Sequence, residues 1–64
     1  MSAYTVSYIL TDWEIRVGRR GDIYVVGDYE GRGWETTSIQ SMHRIEAERM
    51  YIVHTVNSCY YLYY

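Results

Sequence analysis

Sixty-four residues leave room for one domain, 1–64, and a chain this short buries only roughly 60% of its unfolded surface. Its single cysteine, Cys59, excludes an internal disulfide, so the covalent staple of many small secreted domains is missing. A net charge of −2, with all six cations arginine, speaks against a general nucleic-acid binder, which carries a basic surface.

From residue 3 to 10 the chain alternates, with Tyr4, Val6, Tyr8 and Leu10 in phase, which predicts a strand. A signal peptide would show a basic start and a continuous apolar run instead. The apolar phase then flips to odd numbers at Trp13, Ile15 and Val17, so Thr11-Asp12 holds a tight turn or a β-bulge. Residues 12–17 alternate again, with Asp12, Glu14 and Arg16 on the wet face. Gly18-Arg19-Arg20-Gly21 reads as a hairpin turn, and residues 22–30 return as a strand through Ile23, Tyr24, Val25 and Val26. Gly27 inside that run marks a bulge or a close backbone approach. Gly31-Arg32-Gly33 is a second turn signal, and residues 34–36 form a short return strand or the lead into a helix.

A helix is predicted over residues 41–50, which are rich in helix formers. Thr37 or Ser38 can cap it, and Thr37-x-x-Gln40 resembles a capping box. At helical spacing Ile39, Met42, Ile45 and Met50 fall on one side. Glu46 intrudes on that stripe, where it reaches the rim, pairs with Arg49 or His43, or is a buried functional acid. Residues 51–56 are a continuous β-type run, Asn57-Ser58 a turn, and residues 59–64 a last strand. Along that strand Tyr61 and Tyr63 share one face, and Tyr60, Leu62 and Tyr64 the other. The expected fold class is α+β: an antiparallel sheet of about four to five strands with one helix on one face, in the order βββ(β)αββ. Nine Tyr and two Trp, with no Phe, suit a thin domain whose core lies near the surface everywhere.

The chemistry-bearing residues are few. Gly18-Arg19-Arg20-Gly21 matches the GXXG of KH domains in four residues, but that loop joins two helices and this one joins two predicted strands. Arg32 belongs to the next turn, at the opposite end of a meander, so no contiguous basic groove is expected with Arg19 and Arg20. His54 and Cys59 flank a predicted hairpin, yet no fourth ligand completes a metal set, and a lone Cys ordinarily serves as a small buried apolar residue. No catalytic residue, metal or cofactor is expected. No stretch approaches the roughly 20 apolar residues of a membrane helix.

In size, mild acidity, aromatic richness, lack of disulfides and compact α/β order, the whole chain resembles the small phage-encoded anti-CRISPR proteins; no sequence motif carries that resemblance. It implies a cytoplasmic, non-enzymatic inhibitor whose partner is a subunit of a CRISPR effector complex and which occludes a nucleic-acid-binding surface there. Independently of the resemblance, carboxylates spaced along a rigid sheet can pair with the Lys and Arg that hold phosphates. The candidate partner-binding residues are Asp12, Glu14, Asp22, Asp28, Glu30 and Glu35, with Tyr29 and Trp34 as anchors. Two alternatives use other features. One is a nucleic-acid-binding or regulatory module built on the arginine turns and exposed tyrosines. The other is a self-associating subunit whose C-terminal strand, apolar on both faces, pairs at a sheet edge. The chain is expected to be a monomer or a homodimer.

Overall fold

The alternation at the start of the chain becomes the longest strand of the protein. The computed structural model describes residues 6–64, with the strands β1 (Val6–Val17), β2 (Ile23–Tyr29), β3 (Arg32–Glu35), β4 (Ser41–Ile45), β5 (Met50–His54) and β6 (Ser58–Tyr63). The first residues of the expected strand, Tyr4 among them, lie outside the described residues. All six strands form one sheet in the order β3-β2-β1-β6-β5-β4. Every pair is antiparallel except β1 with β6, which runs parallel from Val6↔Ser58 to Leu10↔Leu62. The sheet is thus two three-stranded meanders joined along one parallel seam. Among the described residues no helix is long and apolar enough to cross a membrane.

The phase flip in β1 is a bulge. Thr11 pairs with Asp28 and Glu14 with Val26, so Asp12 and Trp13 together oppose the single residue Gly27. Asp12 takes the extra turn of backbone at φ 48°, a left-handed conformation that Asp tolerates better than most residues. The bulge puts Tyr8 and Leu10 on the inner face before it and Trp13 after it, so both halves of β1 present aromatic or aliphatic side chains to one core.

Both hairpin signals fold as hairpins, with one shift. The Gly18–Gly21 turn is closed by Gly18 N–H donating to the Asp22 carbonyl at 2.7 Å. The second turn is Glu30-Gly31 rather than Gly31-Arg32-Gly33. Tyr29 pairs with Arg32, and both central residues have positive φ, 50° and 81°, the conformation of a two-residue type I′ turn. Arg32 and Gly33 therefore belong to β3. The last turn likewise centres on Val56-Asn57 rather than Asn57-Ser58, with Thr55 N–H donating to the Ser58 carbonyl at 3.0 Å.

The expected helix is absent, and the fold is nearly all β rather than α+β, with six strands in a mixed sheet. Residues 41–50 form β4, the 3-10 turn Glu46–Glu48 and the first residue of β5, paired from Ser41↔His54 to Ile45↔Met50. Glu46 is exposed in that turn, 4.0 Å from Arg44, so it intrudes on no apolar stripe. The helix formers Glu46, Ala47 and Glu48 supply a hairpin turn, ended by Arg49 in the left-handed region at φ 53°. A ten-residue helix gains little by itself and relies on tertiary packing. Here the competing partner is the open edge of β5, whose backbone groups β4 satisfies along five residue pairs. The C-terminal strand is no edge either, because β6 lies between β1 and β5.

The sheet is rolled on itself. From Glu35 to Ser41 the chain crosses from one edge of the sheet to the other in six steps, at most about 22 Å. The edges of a flat six-stranded sheet lie about 24 Å apart. The connector also bonds to both meanders: Ile39 N–H donates to the Ile23 carbonyl at 2.8 Å and Gln40 N–H to the His54 carbonyl at 2.7 Å. Inside the roll, Leu10, Val25, Val53, Tyr60 and Leu62 form the core, with Tyr8, Trp13, Tyr29, Trp34, Ile39 and Tyr51 packed around it. Tyr8 stands at the centre of an aromatic cluster, with ring centroids 4.9 Å from Tyr29, 4.8 Å from Trp34 and 5.3 Å from Tyr60.

Thr36, buried at the start of the connector, is a polar side chain that fastens it to β2. Its Oγ1 accepts the Val25 N–H at 3.0 Å and donates to the Thr37 carbonyl at 2.8 Å. Thr36→Val keeps the shape and leaves the Val25 amide without that acceptor, so urea titration is expected to show a loss of about 1–3 kcal/mol. A change below a few tenths would mean that the hydroxyl does not hold the connector.

Candidate surface for a cationic partner

Strand alternation decides which side of the first meander each side chain faces. Val25, Tyr29, Trp13 and Trp34 belong to the core side. The intervening positions, Glu14 and Arg16 on β1, Tyr24, Val26 and Asp28 on β2, and Gly33 and Glu35 on β3, therefore point outward. Across strands, Glu14, Val26 and Glu35 form one row, and Thr11, Asp28 and Gly33 the next. Asp12 joins this side through the bulge. Asp12, Asp28 and Glu35 surround an open depression of about 490 Å³, walled further by Val26 and Trp34 and floored by Gly27 and Gly33.

Gly27 and Gly33 place no side chain in the depression. At Gly27 the close approach of β1 also requires this, since an added Cβ would lie 2.9 Å from the Thr11 carbonyl oxygen. Among the described residues, no cation lies within ion-pair distance of Asp12, Asp28 or Glu35. Among the described residues Arg16 is the only cation on this face, and its Nε–H is engaged by Glu14 at 2.8 Å. The face thus offers unpaired carboxylate oxygens, acceptors suited to the ammonium of Lys or the guanidinium fork of Arg.

Of the candidate binding residues, Asp12, Asp28, Trp34 and Glu35 come together at the depression, and Glu14 shares its face. Asp22 and Glu30 sit at opposite ends of β2 and do not join them. Asp22 closes the first turn and its carboxylate accepts the Ser38 hydroxyl at 3.4 Å, while Glu30 is central in the second turn. Tyr29 and Trp34 turn their rings inward, 5.2 Å apart, and Trp34 Nε1–H donates to the Tyr60 hydroxyl at 3.4 Å. They are packing residues, and Trp34 reaches the depression only as part of its wall. The Glu30 carboxylate beside Tyr29, aided by some burial, raises the Tyr29 phenol above its ordinary value.

The remaining motifs are spread around the molecule. The Gly-Arg-Arg-Gly turn joins two strands, with Arg19 and Arg20 exposed, and Arg32 follows the turn at the other end of β2. His54 and Cys59 face each other across the β5–β6 hairpin, as a hairpin permits, but Cys59 is buried. His43 and His54 have ring centroids 6.3 Å apart. Among the described residues no three His, Cys, Asp or Glu side chains cluster closely enough to hold a metal ion. Of the outward face of β4, β5 and β6, the sequence reading holds only Tyr61 and Tyr63, on one of the two faces of the last strand. Odd-numbered alternation through Cys59, Tyr61 and Tyr63 signals part of it, but residues 41–45 add to it only as a strand. No protein-family model, curated protein or solved structure matches the chain.

Proposed function

We propose that the chain is a non-enzymatic binding module that presents the outer face of β1–β2–β3 to a cationic protein surface of the kind that holds nucleic-acid phosphates. One observation carries this reading. Four of the eight acidic residues, Asp12, Glu14, Asp28 and Glu35, share one exposed face, and its single arginine is already paired with Glu14. Carboxylates fixed on strands keep their spacing, so a matching array of Lys and Arg is met without ordering cost and is approached rapidly at low salt. A CRISPR effector is the partner suggested by the resemblance in size, acidity and aromatic content.

The test is a titration of purified CRISPR effector complexes with the wild-type chain and with an Asp28→Lys/Glu35→Lys variant at two salt concentrations. The wild type is expected to bind and to compete with target DNA, and the double reversal to weaken binding at least tenfold, or about 1.4 kcal/mol. Equal binding by the variant would remove the acidic face from the mechanism. A direct shift of DNA or RNA by the wild-type chain at low salt, lost steeply as salt rises, would replace this reading with nucleic-acid binding.

A further inference from the structure

The two outward faces of the rolled sheet differ in kind. On the second meander and the adjoining half of β1, the outward positions are Ser7 and Ile9 on β1, Tyr61 and Tyr63 on β6, Met50, Ile52 and His54 on β5, and Ser41, His43 and Ile45 on β4; Cys59 shares this alternation but is buried. The opposite alternation carries Leu10, Leu62, Val53 and Tyr60, which are the core. Four strands wide, this outward face holds no Asp, Glu, Lys or Arg. Two cross-strand rows run over it, Ile9–Tyr61–Ile52–His43 and Tyr63–Met50–Ile45. Ile9 stands 52% exposed and Tyr63 47%. A sheet face in water ordinarily alternates to polar side chains, as the first meander does. The third row, Ser7–Cys59–His54–Ser41, is more polar, so the contiguous apolar part is Ile9, Tyr61, Ile52, Tyr63, Met50 and Ile45, and such a patch marks a surface that is covered by something else.

We infer that this face is covered by a second copy of the chain, packed sheet against sheet about a two-fold axis. Three features select a second copy. First, an uncharged face meets itself without placing like charges together, which the acidic face of the first meander cannot do. Second, among the described residues only four side chains are fully buried, Leu10, Val25, Val53 and Leu62, and a single cysteine allows no internal disulfide. A domain this small ordinarily needs a staple, and oligomerisation is one that accompanies every molecule of the chain. Third, the area is that of a small, weak interface. Four strands about 4.8 Å apart and five residues of about 3.3 Å give roughly 320 Å² per copy in flat projection. Side-chain relief raises the two-copy total toward the ~1,000 Å² at which specific interfaces begin. Such an area belongs to a reversible dimer.

The experiment is sedimentation velocity on the full chain from about 5 to 500 µM, concentrations that bracket a Kd typical of modest interfaces. The expected result is a mass rising from 7.7 kDa toward twice that value. Ile9→Lys and Tyr63→Lys, both at exposed positions, should weaken the dimer at least tenfold. Val56→Lys, in the β5–β6 turn, and the Asp28→Lys/Glu35→Lys pair should leave it unchanged. A measurement on the unaltered chain guards against variants that misfold. With isoleucine methyls labelled for NMR, dilution should shift Ile9, Ile45 and Ile52 and leave Ile15, Ile23 and Ile39 in place. A monomer at 500 µM, or dilution shifts confined to the second set, overturns the dimer. So does a monomer whose Ile9, Ile45 and Ile52 methyls move only when phosphatidylcholine vesicles are added, which assigns the face to lipid. None of these outcomes depends on the acidic face or its partner.

Discussion

Leu62→Ala is expected to remove about 2–5 kcal/mol of stability, the range for truncating a fully buried leucine. A 64-residue domain has about 3–10 kcal/mol in total, so this one change costs a large fraction of it. Leu62 is fully buried on β6, flanked in register by Leu10 on one side and Tyr51 on the other. It therefore stands in the seam where the two meanders meet, and its truncation leaves a void that neither meander can close alone. In a domain of this size each kcal/mol shifts the melting temperature by about 4–8 °C, so a fall of at least about 8 °C is expected by circular dichroism. Protein concentration should be held fixed, because self-association adds to the apparent stability. Val56→Ala, at a site 74% exposed, serves as the comparison and is expected to fall within about 0.5 kcal/mol of the wild type. A Leu62→Ala chain that melts like the Val56→Ala chain would mean that the core is elsewhere.

Gly27→Ala is the second large effect, and its cause is crowding. A methyl group at Gly27 would lie 2.9 Å from the Thr11 carbonyl oxygen and 3.1 Å from both Cα and Cβ of Trp13. None of these atoms can swing aside as the end of a long side chain would. Trp13 is further anchored because its Nε1–H donates to the Tyr63 carbonyl at 2.8 Å. Accommodation therefore requires β1 and β2 to separate at the bulge, at a cost of about 1–3 kcal/mol. Gly33→Ala is the matched comparison, since an added methyl there meets nothing within 4 Å. It should leave urea stability nearly unchanged. Because the bulge also carries Asp12 beside the depression, Gly27→Ala should also weaken capture of a cationic partner. Equal stability of the two variants would remove the close approach from the account of the fold.

Much of the first meander was legible because its signals are local. The even-to-odd flip between Leu10 and Trp13 and the glycine at position 27 are two marks of one bulge, seen from its two strands. The Gly-Arg-Arg-Gly turn and the separation of Arg32 from Arg19 and Arg20 followed from strand order alone. Segment 41–50 was misread because Ile39, Met42, Ile45 and Met50 fit a helical stripe as well as parts of two strands. Over ten residues, periodicity does not separate those states. With the helix went the correct view of what covers the last strands. A helix would have hidden one face of the sheet, whereas the actual covering layer is the first meander, rolled over. The candidate site was read in part. Asp12, Glu14, Asp28 and Glu35 converge because alternation places them on one side. Tyr29 and Trp34, aromatic residues beside the carboxylates, suggest surface anchors, whereas alternation turns both toward Tyr8 and Tyr60.

By itself, then, the sequence determined the local conformations that φ preference and alternation control: the bulge, the first hairpin, the two faces of the last strand and the acidic side of the first meander. Tertiary structure decided whether residues 41–45 pair or coil, where β6 inserts, and which face remains uncovered. The reason is that these depend on an unsatisfied backbone edge, on β5, supplied by residues distant in the chain. A short segment's own preference, worth tenths of a kcal/mol per residue, yields to a row of hydrogen bonds that would otherwise go unmade.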